Sequence, residues 1–398
     1  MNIQTQLRRL NFFGFSACLR ITDAVWVVFL ISRGFSLWQV GLAEGIFHMV
    51  SLLCEIPSGM AADLIGRRRC LAMAGFCGMV SALLMAFSRS FFGVCLSMVF
   101  SALSGSFLSG SDEALLYDSL VQADNADKYI PKSAAYNQMQ NLGFLCSNLA
   151  AGLAAVWSYV GFYLLDSGIC LVRMLTALSL TEPTVTKQQA ARQQHPFADL
   201  KARFREHISI VAGFLRSHPK AAVLMLADGF VTLPSYLTLM FLQQRLSEQG
   251  VPTMWLGLPV MCIAAARMWG TAMGKRLRPK SIPRLYSLCA ILVGSGTVIA
   301  GAASIVPAIA GAALAAAAMD AWVLHLQNAL NRLYPADQRA TLVSVNMMAY
   351  SVLMIAASPV VGWIGDALGT AGAGLWVLGA LIGLSGLISF LIKRHTAE

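Results

Sequence analysis

Twelve long apolar runs are the feature that most restricts what this chain can fold into. About 20 consecutive apolar residues are long enough to cross the hydrocarbon core of a bilayer as a helix. A helix also satisfies its own backbone hydrogen bonds in lipid, so the pattern predicts an all-α membrane protein with twelve transmembrane helices. The predicted spans are 10–32, 38–61, 69–88, 91–120, 134–157, 159–181, 220–243, 253–274, 282–303, 305–330, 340–363 and 371–392.

Composition and charge placement agree with a membrane protein. Only 12% of the 398 residues are charged, compared with about 25% in a typical soluble domain. The net charge of +10 would suggest nucleic-acid binding if the basic residues formed one patch. If the N-terminus is inside, 23 of the 29 Lys and Arg residues lie in cytoplasmic connections and three lie outside. This bias predicts a multi-pass protein of the bacterial inner membrane with both termini cytoplasmic, and no nucleic-acid partner.

No residue pattern indicates catalysis. The nine cysteines contain no C-x-x-C pair and no spacing typical of a metal site. Phosphate-binding, zinc-protease and nucleophile-elbow motifs are also missing from the sequence. We therefore expect no enzyme activity, no cofactor and no metal site.

The longest polar stretch divides the chain into three predicted parts. An N-terminal six-helix bundle covers 1–181, a cytoplasmic linker covers 182–219, and a C-terminal six-helix bundle covers 220–398. In the linker, apolar residues recur in steps of three and four, which predicts a basic amphipathic helix on the inner membrane surface. Two similar halves are a common plan of secondary transporters.

The stretch EIPSGMAADLIGRRRCL, residues 55–71, carries the most specific motif. It resembles the loop G-x-L-A-D-R-x-G-R-K-x-x-L of the major facilitator superfamily, from which Ala61 and Leu64 depart. The resemblance covers nearly all of the chain and implies that superfamily's fold, alternating access and a monomer. The segments DEALLYDSL (112–120) and QRATLVS (338–344) resemble a bacterial group of drug or metabolite exporters.

The resemblance implies that this loop is a cytoplasmic gate. Asp63 would face a helix N-terminus of the other half, where a carboxylate is favourable, and Arg67 would reach Asp118. Glycine permits close packing at Gly59 and a tight turn at Gly66. The alternative is that the arginines only fix the topology. The candidate gate residues are Gly59, Asp63, Gly66, Arg67, Arg68 and Asp118.

Charged residues within spans are costly in lipid and usually functional. The resemblance places spans 1, 4, 7 and 10 around a cavity, so the candidates for substrate binding or proton coupling are Arg20, Asp23, Asp112, Glu113, Asp228 and Asp320. Arg20 and Asp23 alternatively only neutralise each other. Asp112 and Glu113 point about 100° apart on a helix, so we expect only one of them, with a preference for Glu113, to face the cavity. Glu44, His48 and Glu55 share one face of span 2, which suits a proton relay or weakly suggests a metal site, although a polar seam packed on a neighbouring helix is favoured. Asp166 and Arg173 are read as structural. Arg267 would pair with a cavity acid or, alternatively, contact an anionic group of the substrate.

The balance of eight acids against three bases within the spans favours cationic or zwitterionic substrates. We expect a proton-coupled exporter of drugs, a siderophore or other amphipathic metabolites. The alternative is an importer or facilitator of a polar nutrient. A non-transporting membrane sensor is disfavoured because the gate motif is retained. One departure from the family's drug exporters is Ser101, which stands where they often carry an arginine.

Overall fold

In the computed structural model of the chain, the described residues are 2–151, 158–183, 200–277, 279, 281–334 and 339–395. These residues are almost entirely helical. In chain order the helices are α1 (Ile3–Cys18), α2 (Trp26–Ser32), α3 (Leu37–Ile65), α4 (Arg67–Phe87), α5 (Phe91–Leu108), α6 (Ser111–Gln122), α7 (Tyr129–Ala151), α8 (Tyr159–Ser179), α9 (Leu200–Ser217), α10 (Pro219–Glu248), α11 (Gly257–Arg276), α12 (Ile282–Ala300), α13 (Ile305–Leu333), α14 (Arg339–Ala367) and α15 (Ala371–His395).

The structure confirms the all-α membrane class. Ten helical segments of the described chain are long and apolar enough to span a membrane. The predicted spans 10–32 and 134–157 are the two that do not reach this criterion. The first is divided between α1 and α2, and α7 contains Asn and Gln side chains along its length. The count of twelve spans therefore stays a prediction.

The first predicted span is interrupted, whereas the sequence suggested one helix. α1 ends at Cys18 and α2 begins at Trp26, and the segment 19–25 between them is a turn. The carbonyl oxygen of Arg20 accepts a hydrogen bond from the Ser147 hydroxyl. Non-helical backbone is tolerated at membrane depth where neighbouring groups satisfy it, and this side chain does so here.

The fourth predicted span is also interrupted. α5 ends at Leu108, and α6 begins after Gly110, whose φ of +71° is favoured by glycine. The break gives α6 a helix N-terminus within the predicted span. Asp112 and Glu113 lie in its first turn, where negative charge is stabilised by the helix dipole.

The chain forms two compact units. The first unit comprises Met1–Asp23 and Ile46–Ile208, and the second comprises Ala24–Gly45 and Ser209–Glu398. The predicted helix of the linker is present as α9, and residues 184–199 lie outside the described part. The placement of α9 on the membrane surface and the three-part division at 181/182 and 219/220 stay predictions.

Each unit has its own packing. A core cluster of the first unit joins α1, α4 and α6 and includes Leu10, Phe13, Leu71 and Leu115. In the second unit α12 and α15 approach closely, because a Cβ on Gly294 would collide with the backbone of Gly383. Such contacts between small residues are typical of helix packing in membranes, where backbones can approach closely.

The second unit also contains the start of α3, which packs on α14. A Cβ on Gly41 would collide with the Ser358 backbone. The carboxylate of Asp366, at the end of α14, accepts hydrogen bonds from the backbone N–H groups of Leu37 (2.9 Å) and Trp38 (2.8 Å). Asp366 therefore caps the N-terminus of α3 with a negative charge.

Candidate functional site

The turn between α3 and α4 is built around one glycine and one acid. Gly66 has φ +94° and ψ 148°, a conformation that other residues rarely adopt. The carboxylate of Glu182 accepts hydrogen bonds from the backbone N–H groups of Arg67 (2.9 Å) and Arg68 (2.7 Å). Glu182 thus caps α4 from beyond the end of α8. A Cβ on Gly66 would lie 3.0 Å from this carboxyl carbon.

The arginines that follow this turn hold neighbouring helices. Arg67 forms an ion pair with Asp118 of α6, and both side chains are largely buried. The Arg68 guanidinium donates to the Leu178 carbonyl of α8. Gly66, Arg67, Arg68 and Asp118 therefore form one cluster with Glu182, which we call the gate cluster.

Two other candidate gate residues stand apart from these contacts. Gly59 lies within α3, where a Cβ would meet no described atom within 4 Å, so the expected close packing is not seen there. Asp63 also lies within α3, but its side chain is outside the described part. Its expected contact with a helix N-terminus stays a prediction.

The interruption of the first span carries an ion pair. Arg20 Nε lies 3.4 Å from Asp23 Oδ2, and the two side chains are 50% and 57% exposed. Arg20 Nη2 also lies 3.4 Å from the Ser101 hydroxyl oxygen of α5, to which it donates. A guanidinium is thus present beside Ser101, the position where drug exporters of the family often carry an arginine. This one comes from the turn 19–25.

The adjacent acids at the start of α6 differ in exposure. Asp112 is buried, and its carboxylate accepts hydrogen bonds from the Tyr136 hydroxyl (2.7 Å) and from Gln140 Nε2 (3.4 Å). Glu113 is exposed, as is Tyr117 one turn later on the same helix. Asp112 is therefore held among polar groups, whereas Glu113 is the acid on an open face of the first unit.

A buried carboxylate lies in the second unit. Asp228 of α10 accepts hydrogen bonds from Trp322 Nε1 (3.2 Å) and Asn346 Nδ2 (2.8 Å). Asn346 Oδ1 is buried and has no hydrogen-bond partner in the described part of the chain. An amide presents donors on one side and an acceptor on the other, so a rotated Asn346 could accept from a protonated Asp228.

A second ion pair, in which the arginine is about half exposed, lies on α11 and α13. Arg267 reaches Asp320 with Nε at 3.0 Å from Oδ2 and Nη2 at 3.3 Å from Oδ1, so the pairing is bidentate. The Arg267 side chain is 52% exposed and that of Asp320 is 16% exposed. Bidentate pairs of this type are among the stronger polar contacts of proteins. Each unit therefore presents an arginine–aspartate pair whose two members both come from predicted spans.

The comparisons with known proteins place this helical arrangement in a family. Residues 10–326, well over half of the chain, match the family model described as Major Facilitator Superfamily. The chain belongs to this superfamily. A curated relative is the "Uncharacterized MFS-type transporter YxaM" of Bacillus subtilis (strain 168), which is 25% identical over 253 residues. That alignment covers 62% of this chain and about 60% of the relative's length.

Solved structures of very different sequence share the fold. A mutant of the nucleoside transporter NupG has a TM-score of 0.77 at 14% identity, covering 98% of this chain and 100% of that chain. A peptide transporter POT in complex with sulfate has a TM-score of 0.73 at 14% identity, covering 98% and 94%. The chain is therefore an integral, multi-pass membrane protein of the superfamily.

Several residues of this superfamily member escaped the sequence analysis. Glu182 could have been suspected, because it is an acid directly after a predicted span. Trp322 and Asn346 gave no signal, since a buried indole or amide looks like packing until its partner is known. Among the described residues, no group of three or more His, Cys, Asp or Glu side chains could hold a metal ion.

Proposed function

We propose that this protein is a proton-coupled secondary transporter that exports a small amphipathic molecule carrying charged groups. The observation that supports this best is the presence of two ion pairs whose arginines are about half exposed, Arg20–Asp23 and Arg267–Asp320. Charged side chains at membrane depth almost always face the bundle interior or a water-filled cavity. Such exposed pairs suit a route through which a charged or zwitterionic solute passes.

Each ion pair also suggests how a solute would bind. An arginine paired with a carboxylate, whether by one contact as in Arg20–Asp23 or by two as in Arg267–Asp320, can exchange that carboxylate for an anionic group of the substrate. The released aspartate is then available to a cationic group. This exchange keeps every charge paired, which is a condition for moving charges through a medium of low dielectric constant. Amphipathic zwitterions and cations are therefore the proposed substrate class.

Asp228 supports the proton-coupled part of the proposal. It is buried, and its hydrogen bonds come from the neutral donors Trp322 and Asn346. Because the Asn346 amide can offer either a donor or an acceptor, both charge states of the carboxyl can be hydrogen-bonded. Of the other candidates, Asp112 is held by Tyr136 in the same manner, whereas Glu113 lies exposed.

The gate cluster supports alternating access. An ion pair between Arg67 and Asp118 and a carboxylate cap on α4 are contacts that can form in one conformation and break in another. With Gly59 and Asp63 they make up the proposed gate at the cytoplasmic side. The proposal includes the bacterial inner membrane, cytoplasmic termini, a monomer and no enzymatic activity.

An importer or facilitator of a polar nutrient is the second candidate. The two charged pairs are compatible with this function, since they would suit a small polar nutrient as well as an amphipathic drug. The two functions differ in the direction of coupled movement and in the substrate.

Reconstituted vesicles test the proposal. Purified protein would be placed in proteoliposomes with a pH-sensitive dye inside, and cationic drugs, siderophores, dipeptides and nucleosides would be added under an imposed proton gradient. We expect at least one solute to drive proton movement, and Asp228→Asn to abolish it. Asp127→Asn is the matched control, because Asp127 is an exposed acid of the connection between α6 and α7.

The outcomes separate the alternatives. Protons and solute that move in the same direction would favour an importer, and protons and solute that move in opposite directions would favour an exporter. Solute movement without any proton movement would refute proton coupling and the assignment of Asp228.

A further inference from the structure

Asp166 of α8, which the sequence analysis read as structural, has an unusual environment. Its side chain is buried, with 7% exposure. The Thr22 hydroxyl donates to Asp166 Oδ2 at 2.9 Å. Asp166 Oδ1 is buried and has no hydrogen-bond partner within the described ranges. One oxygen of this carboxyl is therefore satisfied and the other is not.

Four other acids within the predicted spans each have either an ion pair or two hydrogen-bond partners. Asp320 and Asp118 form ion pairs with arginines. Asp112 and Asp228 each accept hydrogen bonds on their carboxylates from two side chains. Asp166 has neither arrangement in the described part of the chain. A buried anion with an unsatisfied oxygen is costly, and a proton on Oδ1 would remove the buried charge, which is the larger part of that cost.

A purely structural acid at this place would be expected to pair with Arg173, two turns further along α8. The Arg173 guanidinium instead donates to the carbonyl oxygen of Ala74 and to the Ser104 hydroxyl, each at 3.2 Å. Arg173 thus joins α8 to α4 and α5, and Asp166 has no ion pair among the described residues. The contact that Asp166 does make is to the interrupted part of the first span.

That interrupted segment links Asp166 to the exposed ion pair. Thr22 lies between Arg20 and Asp23 in the turn 19–25. The charged groups that interact electrostatically with Asp166 are Asp23 and Arg20 from this turn and Arg173 from α8. The titratable thiol of Cys170 in α8 also interacts with Asp166, and the Cys77 thiol of α4 faces Arg173.

We propose that Asp166 is a proton-binding site whose protonation is linked, through Thr22 and the turn 19–25, to the Arg20–Asp23 pair. The proton adds to Oδ1 and converts the carboxylate to a neutral acid, and it leaves again as a proton. The change removes a negative charge beside Asp23 and alters the hydrogen bond that holds Thr22. The inference rests on the proposed function, since it assigns a coupling proton to the first unit.

The proton itself is the ligand, so the site can be tested without a known substrate. Infrared difference spectra of the purified full-length protein in lipid would be recorded while the pH is changed from mildly acidic to mildly alkaline. The signal is the C=O stretching band of a protonated carboxylic acid. We expect Asp166→Asn to remove one titrating component of this band. Asp127→Asn, which changes an exposed acid, should leave the band unchanged.

Two further variants test the linkage. Thr22→Val removes the hydroxyl that donates to Asp166, and Asp23→Asn removes the neighbouring negative charge. A carboxylate near one fewer negative charge ionises more readily, so Asp23→Asn should move the midpoint of the Asp166 component to lower pH. Asp166→Glu should restore a titrating component, and thermal unfolding would verify that each variant is folded.

The results that would overturn the inference are distinct from failure of transport. If the titrating band is the same in Asp166→Asn and in the unaltered protein, Asp166 does not bind a proton in this range. If Asp166 titrates but neither Thr22→Val nor Asp23→Asn moves its midpoint, the linkage is wrong. Vesicles that move solute without protons would contradict the proposed function, whereas the infrared titration would still report on Asp166.

Discussion

The carboxylate cap on α4 leads to a local and quantitative prediction. Glu182 accepts two hydrogen bonds from the first backbone N–H groups of α4, at 2.9 and 2.7 Å. Glu182→Gln keeps the shape of the side chain but removes its charge. Its amide oxygen can still accept one hydrogen bond, whereas its amide nitrogen cannot accept the other. The change should therefore weaken the first turn of α4 without removing any packing atoms.

The size of the effect follows from the contacts that change. Hydrogen bonds to charged groups contribute about 1.5–3 kcal/mol and neutral ones about 0.5–1.5 kcal/mol. A charge at a helix N-terminus contributes about 0.3–1 kcal/mol more. Glu182 is only partly buried, so water replaces part of the loss. We expect the opening free energy of this turn to fall by about 2 kcal/mol, which is about a 30-fold change in the opening equilibrium.

Cys70 provides the assay, because it lies in the first turn of α4 and is fully buried. Its backbone N–H donates to the Gly66 carbonyl at 3.2 Å, so opening of this turn exposes its thiol. Maleimide labelling of Cys70 in folded protein, followed by peptide mass spectrometry, measures this opening. We expect labelling about 30-fold faster in Glu182→Gln, as the opening equilibrium requires, and no change in the control Asp127→Asn. An unchanged rate in Glu182→Gln would refute the argument that this cap stabilises the turn.

Three further predictions concern positions where the backbone determines the outcome. Gly66→Ala places a side chain at φ +94° and against the Glu182 carboxyl, so it should destabilise the turn by about 1–3 kcal/mol and also accelerate Cys70 labelling. Gly66→Asn should be as harmful as Gly66→Ala, because ψ 148° lies outside the left-handed helical region that Asn tolerates; a tolerated Asn would contradict the conformational explanation. Asp366→Asn weakens the cap on α3, so it should lower the free energy of unfolding by about 1–2 kcal/mol and lower the midpoint of thermal unfolding. Hydrogen exchange at the Leu37 and Trp38 amides should become faster, whereas exchange in α4 should not change. Gly379→Leu inserts a side chain where α15 meets the backbone of Gly294 and should abolish the folded second unit, as judged by protease resistance. Gly168→Ala is the control, because a Cβ on Gly168 would meet no described atom within 4 Å, and it should be tolerated.

The sequence alone was sufficient for the class of the protein. Apolar runs of membrane-spanning length leave few alternatives to helices, because lipid offers no partners for backbone hydrogen bonds. The motif at 55–71 was sufficient to indicate the superfamily, and the match over 10–326 bears this out. Gly66 is the position where the sequence was most informative, since the turn between α3 and α4 needs a conformation that glycine adopts without strain.

Tertiary structure decided how the charged and polar residues are used. The interruption at 19–25, the donors around Asp228 and the half-satisfied carboxyl of Asp166 depend on contacts between residues far apart in the chain. Asp112 and Glu113 are neighbours with the same chemistry, yet one is buried against Tyr136 and the other is exposed. Hydropathy and spacing describe each helix by itself, whereas hydrogen-bond satisfaction in a membrane depends on which helices lie side by side. The sequence therefore determined that this protein spans a membrane, and the packing of its helices determined which acids are buried, paired or exposed.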